Sequence, residues 1–193
     1  MADYETGSKN QYSYSIVDKL VQKTVLMKIG IFYGSTTGTT AEVAGKIAKV
    51  MGVESADVHN VADTAPSGLG QYDLILVGSS TWGPGEVQDD MASFLDGVKA
   101  LSLKGKAVAV FGCGDDTMRD TFCNAVGEIY RVFKQTGARM IGDFNALGYD
   151  YEHTGAQIDD KIVGLVLDEN NHSDLTDRRI AEWTSKVESE YAE

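Results

Sequence analysis

From Met27 onward, short apolar runs alternate with amphipathic stripes of helical period. Ile29, Ile31, Phe32 and Tyr33 form a first strand that runs straight into Gly34-Ser35-Thr36-Thr37-Gly38-Thr39-Thr40. Val43, Ala44, Ile47, Val50 and Met51 then share one helical stripe, and Thr39 with Glu42 has capping-box spacing, which predicts the helix start. Residues 53–58 read as a weak second strand, and residues 72–78 as a strong, continuously apolar third. Met91, Phe94, Leu95 and Val98 mark a second helix and residues 106–112 a fourth strand. Phe122, Ala125, Val126, Ile129, Val132 and Phe133 mark a third helix. Residues 139–143 open a fifth strand, and residues 162–167 look like its continuation after a polar stretch. Thr176 is placed to cap a last helix bearing Ile180, Trp183, Val187 and Tyr191. Apolar strands alternating with helices predict an α/β fold, a doubly wound five-stranded parallel sheet with both faces covered. Ligands of such sheets sit at the carboxyl ends of the strands, so the loops 34–40, 79–90 and 112–121 are the candidate site.

The 193 residues suffice for one such domain, placed at 27–193. Residues 1–26 stand apart: a polar start, then a weak amphipathic stripe of Ile16, Val17, Leu20, Val21 and Val25. With no basic n-region and no long apolar core, the segment is not a secretory signal. It is either a disordered extension, added or arising from a mis-assigned upstream start with Met27 the functional first residue, or a genuine amphipathic element. The clean beginning of the pattern at Met27 favours the former. The charge balance, 29 acidic against 17 basic side chains for a net −12, argues against nucleic acid and anionic membrane as partners. It favours basic protein partners, or serves solubility. Cys113 and Cys123 form no C-x-x-C and suggest no disulfide framework, so a reducing cytoplasm is expected. The apolar runs are far short of a membrane span.

The first loop joins a strand to a helix N-terminus, where unpaired N–H groups and the positive dipole end favour phosphate. Its five hydroxyls add neutral donors. No Lys follows Gly38 as in a nucleotide-hydrolysing P-loop, no G-x-G-x-x-G is present, and no Lys or Arg lies between Tyr33 and Lys46. Such a loop suits one terminal monoester phosphate; the plainer alternative is a polar turn with capping threonines. In the second loop, Trp82 stands at a strand's carboxyl end among Gly83 and Gly85, where a flat partner can meet its large face, unless it anchors the core or surface. The third loop, residues 111–122, is again glycine-bearing. A nucleophilic Cys113 is disfavoured because no His lies near it in sequence. No His/Asp/Glu spacing resembles a metal site. Asp89-Asp90 and Asp115-Asp116 read as solvated helix starts.

A phosphate loop, a Trp for a flat ring and a glycine-rich loop opposite describe a site for an aromatic mononucleotide. Together, Ser35-Thr36-Thr37-Gly38-Thr39-Thr40, Thr81-Trp82-Gly83 and Gly112-Cys113-Gly114-Asp115 resemble the flavodoxin family over roughly residues 27–190. The tail, with Gly148-Tyr149-Asp150-Tyr151 and residues 163–176, is similar to the long-chain branch, whose fifth strand is interrupted by a long loop. The resemblance implies strand order 2-1-3-4-5 and bound FMN as cofactor. It implies that Ser35, Thr36, Thr37, Gly38, Thr39 and Thr40 wrap the phosphate, and that Trp82 covers one face of the isoalloxazine with Ser80, Thr81 and Gly83 beside it. Cys113, Gly114 and Asp115 would meet the ring edge, and Asn170 the ribityl chain. The family's outer-face Tyr position falls on Met118, which shields a flavin less than Tyr.

The implied role is that of a monomeric, low-potential carrier of single electrons between redox proteins, a reductase as donor and an enzyme as acceptor, with basic docking surfaces. Full reduction makes FMN anionic, and Glu86, Asp89, Asp90, Asp115 and Asp116 oppose that charge. One rival reading is an FMN-dependent NAD(P)H:quinone-type reductase on the same fold, which needs an open flavin face. Another is a non-redox response-regulator-like module, weakened because the first and third strands end in Tyr33-Gly34 and Ser79-Ser80 rather than carboxylates.

Overall fold

The computed structural model describes residues 27–193, so the expected extension at 1–26 lies outside the described residues. The chain runs β1 (Ile29–Gly34), α1 (Thr39–Met51), β2 (Val58–Asn60), β3 (Leu74–Trp82), β4 (Glu86–Val87), α2 (Asp89–Val98), β5 (Ala107–Cys113), α3 (Asn124–Gln135), β6 (Arg139–Ile141), β7 (Gln157–Ile158), β8 (Lys161–Ile162), β9 (Leu165–Leu167) and α4 (Ser173–Ala192).

The sheet is ordered β2-β1-β3-β5, with β6 and β9 both parallel to β5 along the same edge. Ala107–Ala109 pair with β6 and Phe111–Cys113 with β9, so these are two halves of one fifth strand. Residues 142–164 interrupt it and carry the β7–β8 hairpin. Counting the parallel strands alone, the order is the expected 2-1-3-4-5. The two-residue β4 folds back antiparallel on the end of β3, a pairing too short to show in the sequence pattern.

Side chains of a strand alternate between faces, and here both faces are buried. Phe32, Ile75, Val77, Val108 and Val110 meet Met91, Phe94, Ile129 and Phe133 of α2 and α3. Ile31, Leu74, Leu76, Ala109 and Phe111 meet Val43, Ile47, Ile180 and Trp183 of α1 and α4. At roughly 1.5–3 kcal/mol per fully buried large apolar side chain, these two layers hold the strand ends that carry the loops.

Four details depart from the pattern. The second strand starts only at Val58, because Gly52 ends α1 in the left-handed region and 55–57 form a 3-10 turn before pairing with Ile31 begins. Val50 is exposed, off the buried stripe of α1. Thr39 is the first helical residue rather than a cap: Gly38 takes φ +99°, which a threonine would resist, and its carbonyl accepts the Glu42 N–H at 2.9 Å. Thr176 lies inside α4, whose cap position is His172, and its hydroxyl donates to Glu169.

Candidate functional site

The loop after β1 turns into α1 without a side-chain cap, which leaves the first-turn N–H groups available to a ligand. Within the loop, the Gly38 N–H donates to the Ser35 hydroxyl at 3.2 Å. Thr36 and Thr37 are exposed; Thr40 is fully buried and its hydroxyl has no hydrogen-bond partner. Its polar neighbour is the Cys113 thiol. Gln88, buried at the start of α2, ties the loop to that helix: its side-chain amide donates to Thr36 Oγ1 at 3.2 Å and to Asp90 at 2.7 Å, while its carbonyl accepts the Met91 N–H.

The second wall is the end of β3. Trp82 is 41% exposed, and its indole N–H donates to the Ser80 hydroxyl at 2.7 Å. The chain reverses at once, with the Gly85 N–H on the Trp82 carbonyl at 2.9 Å and positive φ at Gly83 and Gly85. A side chain at Gly85 would also run into Asn124. The Thr81 hydroxyl accepts the Ala125 N–H at the start of α3, fixing the strand end against that helix.

Between these walls and the segments after β5 and β9 lies a cleft of about 330 Å³. Thr37, Thr39, Ser80, Thr81, Trp82, Cys113, Gly114, Asp115, Glu169 and Asn170 line it. A larger hollow of about 400 Å³ beside β6 is lined by the mixed charges of Arg139, Asp143, Lys161 and Glu190 with the half-buried Tyr130, and no helix N-terminus lines it. The chemistry thus lies at the carboxyl ends of the strands.

The sequence model of the family described as Flavodoxin matches residues 31–183. The chain belongs to the flavodoxin family. It is 40% identical over 172 residues to flavodoxin 1 of Azotobacter vinelandii, covering 86% of this chain and 98% of that protein. It is 38% identical over 164 residues to the flavodoxin of Klebsiella pneumoniae, covering 84% and 93%. Among solved structures it is similar to Fusobacterium nucleatum flavodoxin bound to flavin mononucleotide, at a TM-score of 0.80 and 26% identity over 86% of this chain and 99% of that one. Flavodoxins are electron-transfer proteins, not enzymes.

Within this flavodoxin fold the expected residues separate into two groups. The ten lining residues include Thr37, Thr39, Ser80, Thr81, Trp82, Cys113, Gly114, Asp115 and Asn170. Ser35, Thr36, Gly38, Thr40 and Gly83 adjoin the cleft without lining it, and Met118 stands 51% exposed at the tip of the third loop. Both thiols are buried: burial pushes Cys113 up to about 12 and Cys123 likewise well above its ordinary range, so neither is a thiolate at neutral pH.

The reading of Asp115-Asp116 as a solvated helix start is wrong. Asp116 is 3% exposed, and both residues belong to a hydrogen-bonded turn. Asp115 accepts from the Thr117 hydroxyl and N–H and from the side chains of Asn170 and Asn171; led by the Thr117 hydroxyl, these bonds hold its carboxyl below the usual range against a smaller effect of burial. Asp116 accepts the Asp150 N–H at 3.0 Å and lies 2.9 Å from His172 Nε2. Asp89-Asp90 does stand exposed in the first turn of α2. Glu169 in the cleft and Gln88 behind the first loop were not singled out from sequence, where each is one more polar residue in a polar run.

Proposed function

We propose that the chain is a low-potential single-electron carrier that holds FMN non-covalently in the cleft between Trp82, residues 113–115 and residues 169–170. One observation carries this reading: a hydroxyl-rich helix N-terminus without a cap and a half-exposed indole face the same cleft. The buried Thr40 hydroxyl, which lacks a partner, fits an anion at that helix end. Bound there, FMN supplies the redox chemistry. The protein's part is to orient and tune it. Ser35, Thr36, Thr37, Gly38, Thr39 and Thr40 offer neutral donors to a phosphate. Trp82 offers a ring face, with Ser80, Thr81 and Gly83 beside it, and Cys113, Gly114 and Asp115 border the ring edge. Asn170 stands where a ribityl chain would run, and Met118, exposed at the tip of the third loop, would border the outer face. The carboxylates of Asp115 and Glu169 at the cleft, with Glu86, Asp89 and Asp90 near it, disfavour added negative charge and so lower the potential. Among the described residues no helix is long and apolar enough to cross a membrane.

The same acidic rim suits redox partners with basic docking surfaces, and two buried free thiols suit a reducing cytoplasm. Titration of the purified protein with FMN and with riboflavin tests the reading. Flavin absorption bands on the protein and a clear preference for FMN are expected. A protein that takes up neither, or that oxidises NADPH unaided, overturns it. Electron exchange with a basic partner should slow as salt rises, since exposed charges are screened over about 8 Å at physiological ionic strength.

A further inference from the structure

Two walls of the cleft, residues 113–115 and 169–170, are more than fifty residues apart in sequence, and one buried cluster joins them. The Asp116 N–H donates to Asp168 Oδ2 at 2.9 Å. Asp168 also accepts the N–H groups of Asn170 and Asn171 and the Asn171 side-chain amide. Burial acts to raise the Asp168 carboxyl, but these bonds outweigh it and hold the group below the usual range, so it stays ionised. The Gly114 N–H adds a bond to the Leu167 carbonyl. Asp116 closes the cluster with its own carboxylate on His172 Nε2. A carboxylate can only accept, so Nε2 carries the proton of that bond. Both carboxylates are buried, whereas the His172 side chain is 33% exposed and can exchange protons with solvent.

We propose that His172 is a positioning residue: its protonation tightens the clasp between 113–118 and 168–172, and with it the grip of the cleft on the flavin. The link to the flavin rests on the FMN reading above. With a neutral imidazole the bond to Asp116 is charge-assisted from the acceptor side alone; an imidazolium adds a positive charge on the donor side and so offsets two buried carboxylates. The groups facing His172 are Asp116 from the third loop, Asp168 at the end of β9 and the Tyr149 ring from the insertion at 5.4 Å; Asp174 is the acidic residue in the first turn of its own helix. Tyr149 stays protonated because burial raises it. Behind these, Arg179 lies 4.2 Å over Tyr149, and Arg119 pairs with Asp150 and Glu152. Of these side-chain types, imidazole is the one that ordinarily changes charge between pH 5 and 8.

The test uses the whole chain and two readouts. Without flavin, hydrogen exchange at the amides of Asp116 and Asp150, corrected for intrinsic rates, should show protection rising about three- to ten-fold from pH 8 to 5.5, with the midpoint of the His172 ring resonances. His172→Gln keeps a donor that cannot titrate and should flatten that rise. Riboflavin, which has no phosphate to titrate, should bind the wild type more tightly at pH 5.5 than at pH 8, and His172→Gln equally at both. Protection that ignores His172 titration in the wild type, or a variant that parallels it, overturns the proposal. A clasp that tightens while riboflavin affinity stays flat overturns the link to the cleft. If protection follows His172 but neither flavin binds, the FMN reading fails and the clasp stands.

Discussion

The Trp82 indole donates its N–H to the hydroxyl of Ser80, two residues back on the same strand, at 2.7 Å. Residues i and i+2 of a strand share a face, so the bond holds the ring on the cleft side. Trp82→Ala should loosen FMN, since ring–ring contact contributes roughly 0.5–1.5 kcal/mol beyond area burial, and it should brighten the bound flavin by removing a quencher. Ser80→Ala frees the ring without removing it and should weaken FMN less, in the same direction. Fluorescence titration checks both; a dissociation constant unchanged in Trp82→Ala would assign the indole to surface packing.

Thr40 and Thr37 offer a contrast within one loop. A buried hydroxyl without a partner costs roughly 1–3 kcal/mol, so Thr40→Val should stabilise the flavin-free protein, read as a higher urea midpoint. The same change should weaken FMN about ten-fold relative to riboflavin, by loss of a hydrogen bond to a charged group. Thr37 is exposed, so Thr37→Val should lower the FMN preference with little effect on the urea midpoint. Equal loss of both flavins in either variant would show that the loop does not read the phosphate.

The sheet was legible because its strands are apolar on both faces and its helices keep one buried stripe, as Leu74–Val77 and Met91, Phe94, Leu95 and Val98 illustrate. Even the broken fifth strand was readable, because Leu165-Val166-Leu167 resumes the apolar run that Arg139–Ile141 begins. The loop residues at the cleft were legible from hydroxyls, glycines and one misplaced Trp. What escaped were bonds formed by tertiary packing. Asp116 meets His172 across 56 positions, and nothing local distinguishes a buried aspartate from a solvated one. Thr39 failed as a cap because Gly38, with φ +99°, reaches the turn first.

Stability should fall on the acid side through His59. Its ring packs on Phe32 and, because the Tyr72 hydroxyl donates to Asp57, His59 Nε2 donates to the Tyr72 oxygen at 2.6 Å. Burial outweighs the attraction of Asp57 and lowers the His59 pKa below the ordinary value. The unfolded chain therefore takes up the proton first, near pH 6.5, and folding free energy is lost as pH falls from there through the folded value. Tyr72, raised to about 12 chiefly by burial, does not titrate in this window. Urea midpoints between pH 7.5 and 5 should decline in the wild type and decline less in His59→Gln. Combining His59→Gln with His172→Gln separates this effect from the clasp proposed at His172.

On the FMN reading, Met118 sets how closed the flavin face is. Its N–H bonds the Asp115 carbonyl at 3.0 Å and its carbonyl accepts the Thr121 N–H at 2.9 Å, which fixes a turn whose tip points its side chain outward. Arg119 braces that tip through Asp150 and Glu152. The tip is therefore held by the insertion, and a larger side chain at 118 should lie over the cleft rather than drag the loop away. Met118→Tyr offers a flat aromatic face in place of a narrow thioether and should tighten FMN. It should also remove water from the outer face and set an electron-rich ring against a flavin that gains negative charge on full reduction. The second one-electron potential should then fall, while the first moves less because the first step leaves the flavin neutral. Spectroelectrochemical titration of wild type and variant measures both. If affinity and second potential are unchanged, the tip does not reach the ring, and the outer face is bordered by Asp115 and Gly114 instead.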